Sequence, residues 1–228
     1  MLDYFVTTAM IFIWSLIWGA SWVCFRYLLM SSSFYRLGAK VETNHKKTSM
    51  TSVVFPVLIL GPVVIYYGFH LLDINLLFPM LFEASTTEVL KATAVPAFLL
   101  CFAAGLFSRI SFGLRRSFDM YRGASFVELT RALGLSARKR LFKLFALKSF
   151  LDGLSRSLPW IFSELVIVEA LFNAQGLGLA LWNFAKMRDL ESSLYAAAWL
   201  FVLYGLSAAA VKLSSARLGK RLEGYTVS

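Results

Sequence analysis

Residues 4–30 read YFVTTAMIFIWSLIWGASWVCFRYLLM, an apolar run interrupted only by Arg26 near its end. A helix needs about 20 mostly apolar residues to cross the hydrocarbon core of a bilayer. This stretch exceeds that length, and four further blocks approach it. They cover residues 53–72, with Pro56 and Pro62; 92–114, with Pro96 near the start; 150–172; and 192–213. Block 150–172 is the least clean, since it carries Asp152, Arg156, Glu164 and Glu169. Proline and glycine inside such blocks are no objection, because neighbouring helices satisfy the backbone groups they free. The reading is an all-α integral membrane protein with about five transmembrane helices, forming one domain over residues 1–228.

Composition agrees. The chain is 58% hydrophobic and only 16% charged, with a mean hydropathy of +0.67. Soluble domains run near half apolar and a quarter charged. The first residues, Met-Leu-Asp-Tyr, give no positive segment of the kind that opens a signal peptide, so block 4–30 is expected to be retained as a span. Cys24 and Cys101 both sit in apolar blocks and read as small buried hydrophobes. His45 and His70 stand alone, and no metal site is expected.

The net charge of +10 is not spread evenly. Seventeen of the 23 basic residues fall in 31–51, 115–148 and the tail from Lys212, and three (Lys91, Lys186 and Arg188) in the two intervening segments. Basic residues concentrate on the cytoplasmic side of membrane proteins. The expected orientation has the N-terminus outside and the C-terminus in the cytoplasm. The basic residues then meet lipid headgroups, and no nucleic-acid partner is needed to explain them.

Between the third and fourth blocks lies Asp119–Lys148, DMYRGASFVELTRALGLSARKRLFKLFALK. It is too apolar for a passive connector. Phe126, Leu129, Thr130 and Leu133 have helical spacing, Gly134 suits the residue after a helix end, and Ser136 suits an N-cap. Helical character resumes over Ala137–Leu147. The expectation is a helix–glycine–helix hairpin that a soluble partner receives in a groove.

This hairpin resembles the EAA loop of binding-protein-dependent ABC importers. Glu128 and Gly134 hold matching positions, while Leu129 and Thr130 stand where two alanines are usual. Thr130-Arg131-Ala132-Leu133-Gly134-Leu135-Ser136, followed by Arg138, Lys139 and Arg140, is most similar to permeases of the dipeptide, oligopeptide and nickel importers. Ala94-Val95-Pro96-Ala97 upstream also resembles them. So do Val168-Glu169-Ala170-Leu171-Phe172, Gly176-Leu177-Gly178 and Arg188-Asp189 downstream. The chain departs from that group at Gly219-Lys220-Arg221, where a Pro-Arg is usual. It is also expected to lack the further N-terminal span and large external segment common there. Permeases of the nitrate, taurine and sulfonate importers remain alternative relatives, and a channel, a structural protein or a membrane enzyme would be alternative functions.

The resemblance implies a type I ABC importer permease fold with an ATPase-coupling interface at Glu128, Arg131, Ala132, Gly134 and Arg138. It implies ATPase subunits that bind ATP and magnesium, a second permease subunit, identical or homologous, and an extracytoplasmic solute-binding protein. It further implies a bacterial inner-membrane location and a peptide, metal chelate or other small polar solute. The chain has no G-x-x-x-x-G-K-[ST] phosphate loop, so it is expected to bind no cofactor and to catalyse nothing itself. Charges at membrane depth face protein or water. Glu164, Arg109 and Glu169 are therefore candidates for the translocation path, with Glu169 also suited to a structural role beside the glycine turn. Asp152 and Arg156, four residues apart, are expected to pair along one helix face. Gly176 and Gly178 are candidates for an external turn, and the segment after them, 179–187, for part of an external gate.

Overall fold

The computed structural model describes residues 2–36, 57–72, 86–123 and 135–226. Among these residues the protein is helical throughout. The elements are α1 (Leu2–Arg36), α2 (Val57–Leu72), α3 (Thr86–Ala103), α4 (Leu106–Gly123), α5 (Leu135–Leu171), α6 (Leu177–Lys186) and α7 (Leu190–Thr226).

Among the described residues, two helical stretches are long and apolar enough to cross a membrane unaided, Asp3–Arg26 in α1 and Leu190–Lys220 in α7. They contain the first and fifth expected blocks. The third block is not one straight rod. Ala92–Ala103 and Leu106–Leu114 are bent by 58° at a short break, and they make a third span only if counted together. The break is at Gly105, whose φ of 68° lies in the left-handed region that glycine enters without steric cost. The Gly105 N–H bonds back to the Phe102 carbonyl at 3.1 Å and closes α3. The second block appears as the shorter apolar helix Val57–Gly68. The fourth block, with four charged residues, forms the C-terminal part of α5.

The region expected to be a hairpin differs from its sequence reading. Its first arm, Ser125–Leu133, and Gly134 lie outside the described residues. Its second arm is not a separate helix: α5 runs from Leu135 through Leu171, so Ala137–Leu147 continues directly into the fourth block. Ser136 is therefore inside the first turn of α5 and is not its N-cap. The physical reason is local. From Ser136 to Asp152 there is no glycine or proline, and helix-favouring Leu, Lys, Arg and Ala dominate. At the other side, α4 continues past Leu114 to Gly123, so Asp119–Gly123 is also helical.

The chain divides into two compact units, and α1, α5 and α7 contribute residues to both. The first comprises Met1–Trp18, Val54–Leu106 and Ser157–Ala210. Its core includes Ile11, Leu100, Ile161, Leu165, Val168 and Phe172, all fully buried. Polar keys lock α1 to α3 within it. The Trp18 indole donates to the Ala94 carbonyl at 3.0 Å, and the Cys101 thiol to the Ser15 carbonyl at 3.2 Å. Phe12 packs on Phe162 and Phe5 on Trp199, with ring centroids 5.3 and 5.6 Å apart.

The second unit comprises Gly19–Val53, Phe107–Arg156 and Val211–Ser228. Here α4 and α5 cross closely. A Cβ on Gly153 would stand 3.2 Å from the Ile110 nitrogen, and one on Gly113 3.5 Å from the Ser149 carbonyl oxygen. Small residues at such crossings let backbones approach where lipid supplies no hydrophobic drive. The Trp22 indole donates to Ser111 Oγ at 2.9 Å and to the Phe107 carbonyl at 3.1 Å. Asp152 accepts from Ser215 Oγ at 2.8 Å. The hydrogen bond of the Asp152 carboxylate is thus to a hydroxyl of α7, and the expected ion pair with Arg156 is not formed.

Ile13, Ile17, Leu58, Ile59, Leu194, Phe201, Leu206 and Leu213 are exposed on α1, α2 and α7. In water such surface would be a liability; against lipid tails it is the ordinary outer surface of a membrane protein.

Candidate functional site

The most completely determined constellation is the turn between α5 and α7, in the first unit. Helix α5 ends in a Schellman arrangement. Asn173 takes the left-handed conformation (φ 52°), and the Ala174 N–H reaches back five residues to the Glu169 carbonyl at 2.9 Å. Asparagine tolerates this conformation better than other side-chain-bearing residues. Ala174 and Gln175 follow, and Gly176, in extended conformation (φ −111°, ψ 178°), begins α6.

The N-cap residue of α6 has no side chain with which to cap it. The first N–H groups of a helix need partners, above all when buried. Here they find them on other helices. The Glu169 carboxylate reaches forward from the last turns of α5, and its Oε2 accepts from Gly178 N at 2.6 Å and Leu179 N at 3.2 Å. The third N–H, of Leu177, donates to Thr8 Oγ1 at 2.7 Å. Thr8 in turn donates its hydroxyl proton to Glu169 Oε1, also at 2.7 Å. Thr8 and Glu169 are both fully buried. A carboxylate at a helix N-terminus also meets the positive end of the helix dipole, worth about 0.3–2 kcal/mol depending on burial.

The glycines of this turn are required by geometry. A Cβ on Gly176 would collide with the Glu169 carboxyl group. On Gly178 it would stand 2.6 Å from the Val166 Cα and 2.9 Å from Glu169 Oε2. Carboxylate and backbone occupy the space a side chain would need.

Helix α6 ends as α5 does. Arg188 is left-handed (φ 59°), and the Asp189 N–H bonds to the Phe184 carbonyl at 3.0 Å. Asp189 then caps α7, its Oδ1 accepting from Ser192 N at 3.1 Å. Hydrogen bonds from the Ser192 side chain and then its main chain hold the exposed Asp189 carboxyl below the usual carboxylate range. Arg188-Asp189 is thus a two-residue switch from one helix to the next.

Residues 46–224 match the family of binding-protein-dependent transport system inner membrane components. The chain belongs to this family. It is a membrane component of an ABC-type import system, with the type I ABC permease fold. A comparison with curated proteins returned no match.

The other candidate residues of this permease fall in different places. Glu128, Arg131, Ala132 and Gly134 lie outside the described residues, and Arg138 is in the first turns of α5. Gly176, Gly178 and Glu169 come together as one bracket. Glu164 lies five residues before Glu169 on α5, in the same unit. Its carboxylate accepts from the Val57 main chain at the start of α2, while its Oε2 is buried without a hydrogen-bond partner. Arg109 belongs to the second unit, where its guanidinium donates to the Arg156 main-chain carbonyl. Sequence reading missed Thr8. Its one signal is a pair of hydroxyl residues, Thr7 and Thr8, inside an apolar block, where each needs a partner.

Proposed function

We propose that the chain is the translocating subunit of an ATP-driven importer, with the elbow of residues 119–148 seated on a separate ATPase and the turn 173–189 serving as its external gate. The observation that carries this reading is the family match over residues 46–224, which contains both segments. The elbow holds the residues that would meet the ATPase: Glu128, Arg131, Ala132, Gly134 and Arg138. ATP closes the ATPase dimer, and the elbow transmits the movement as a rigid-body shift of the spans. Helix α5 runs from Leu135 to Leu171, and its last turns carry Glu169, which holds α6.

The remaining roles follow from this one. The permease pairs with a second permease subunit, identical or homologous. It receives a peptide, metal chelate or other small polar molecule from an extracytoplasmic binding protein. ATP and magnesium are bound by the ATPase. The segments rich in lysine and arginine face the cytoplasm, which puts the elbow and the C-terminus inside and the N-terminus outside.

The test is assembly. Gly134→Asp places a charged side chain at the glycine of the proposed coupling segment, and it should abolish co-purification of the ATPase subunit while leaving the permease in the membrane. Normal assembly and transport in that variant would refute the coupling role, as would protease or label reaching the elbow from outside intact cells.

A further inference from the structure

The family match begins at residue 46, yet the bracket that holds α6 is completed from residue 8. Helix α1 therefore lies outside the matched region and still supplies a buried bond to the turn. From this we infer that α1 is a working part of the external gate, with Thr8 as a positioning residue that fixes the N-terminus of α6 through Glu169. The inference rests on the reading of 173–189 as the gate.

Thr8 has two functions at once. As an acceptor it satisfies Leu177 N, and as a donor it orients Glu169 Oε1. The other carboxylate oxygen is then directed at Gly178 N and Leu179 N. A hydroxyl does both jobs with one atom; no apolar residue of the same shape can do either. The remainder of α1 in the first unit is keyed into its neighbours at helical spacing. Ile11 is fully buried, the Ser15 main-chain carbonyl accepts from the Cys101 thiol on α3, and the Trp18 indole donates to the Ala94 carbonyl on α3. Thr8, Ile11, Ser15 and Trp18 recur at intervals of three and four residues, on one face of the helix. That face is seated on α3, and its outermost polar residue holds α6. Releasing α6 from Thr8 removes one of its anchors without lifting α1 from α3.

Thr8→Val keeps the shape and loses both hydrogen bonds; Thr8→Ser keeps both. The full chain in lipid nanodiscs is measured by amide exchange at Leu177, Gly178 and Leu179. In a Cys24→Ser background Cys101 is the sole thiol, and a small maleimide reports whether α1 still covers it. Thr8→Val should raise exchange at the three amides on the order of tenfold. Cys101 should stay unreactive, and Thr8→Ser should behave as the parent. Unchanged exchange in Thr8→Val overturns the inference, and so does a reactive Cys101, which would make the effect a loss of α1 packing. A functional arm separates this inference from the gate reading beneath it. In the assembled complex, Thr8→Val should raise ATP hydrolysis in the absence of solute at least twofold, with Gly176→Ala as the comparison. If Gly176→Ala raises it and Thr8→Val does not, α1 is no part of the gate. If neither does, the gate reading itself falls.

Discussion

The turn at residues 169–192 joins its helices by hydrogen bonds, whereas α4 and α5 in the second unit meet through absent side chains. At the turn, Thr8 and Glu169 take part in four hydrogen bonds, three of them buried and three made to main-chain N–H groups of α6. At the crossing, Gly153 stands against the Ile110 backbone and Gly113 against Ser149. Lipid tails are as apolar as leucine, so burial alone does not draw helices together in a membrane. Close packing and interhelical hydrogen bonds remain. Each region relies mainly on one of them, and the two should fail in different ways. Removing a partner at the turn orphans polar groups; adding atoms at the crossing forces the helices apart.

The largest effect is expected from Glu169→Ala. It leaves Gly178 N, Leu179 N and the Thr8 hydroxyl without their acceptor, the first and last of them buried. Each buried donor left without its acceptor costs about 1–3 kcal/mol, and two are orphaned here. Glu169→Gln should cost less than half of that, since the amide keeps one acceptor and Thr8 can receive its N–H while still holding Leu177 N. Thermal unfolding of the chain in nanodiscs would rank wild type above Gln and Gln well above Ala. Equal loss in both variants would show that the bracket depends on charge and not on its hydrogen-bond count.

Gly153→Leu should come next. Its Cβ would lie 3.0 Å from Ile110 Cγ1, 3.2 Å from Ile110 N and 3.3 Å from Ile110 Cα, and two of these atoms are backbone. Overpacking at such a contact costs about 1–3 kcal/mol. The comparison sharpens if amide exchange rises across residues 107–114 while the amides of Leu177 to Leu179 keep their protection. A rise at both places with no change in the thermal midpoint would mean that the glycine contact does not carry the crossing.

Much of this was legible in the sequence. Apolar block length identified most of the helices, and Gly176, Gly178, Glu169 and Arg188-Asp189 marked the turn between α5 and α7. What escaped did so for physical reasons. Thr8 is 161 residues from Glu169, and a hydroxyl in an apolar run does not announce which helix will satisfy it. Gly105 is one of several glycines in spanning blocks, and its left-handed conformation is a property of the chain's path, not of a local motif. Asp152 and Arg156 had the right spacing for a pair, but spacing on one helix cannot see Ser215 arriving from another. The start of α5 was displaced because Ser136 is a good cap residue placed beside even better helix formers.

The smallest effect lies at the exit of the turn and depends on pH. Asp189 is exposed, and its hydrogen bonds from Ser192 favour the carboxylate, so its folded pKa lies below its unfolded value. A group of that kind adds stability that is present above the unfolded pKa and is lost as pH falls through the folded one. Above the ordinary carboxylate range the first turn of α7 is therefore capped; below it the cap weakens. Amide exchange at Ser192, corrected for its intrinsic pH dependence, should be flat near neutrality and rise only on acidification. Asp189→Asn keeps a good capping side chain but has nothing to titrate, so its corrected exchange should be flat throughout. Persistence of the acid response in Asp189→Asn would assign it to another group. The effect stays local, because the Asp189 carboxylate caps only the first turn of a 37-residue helix.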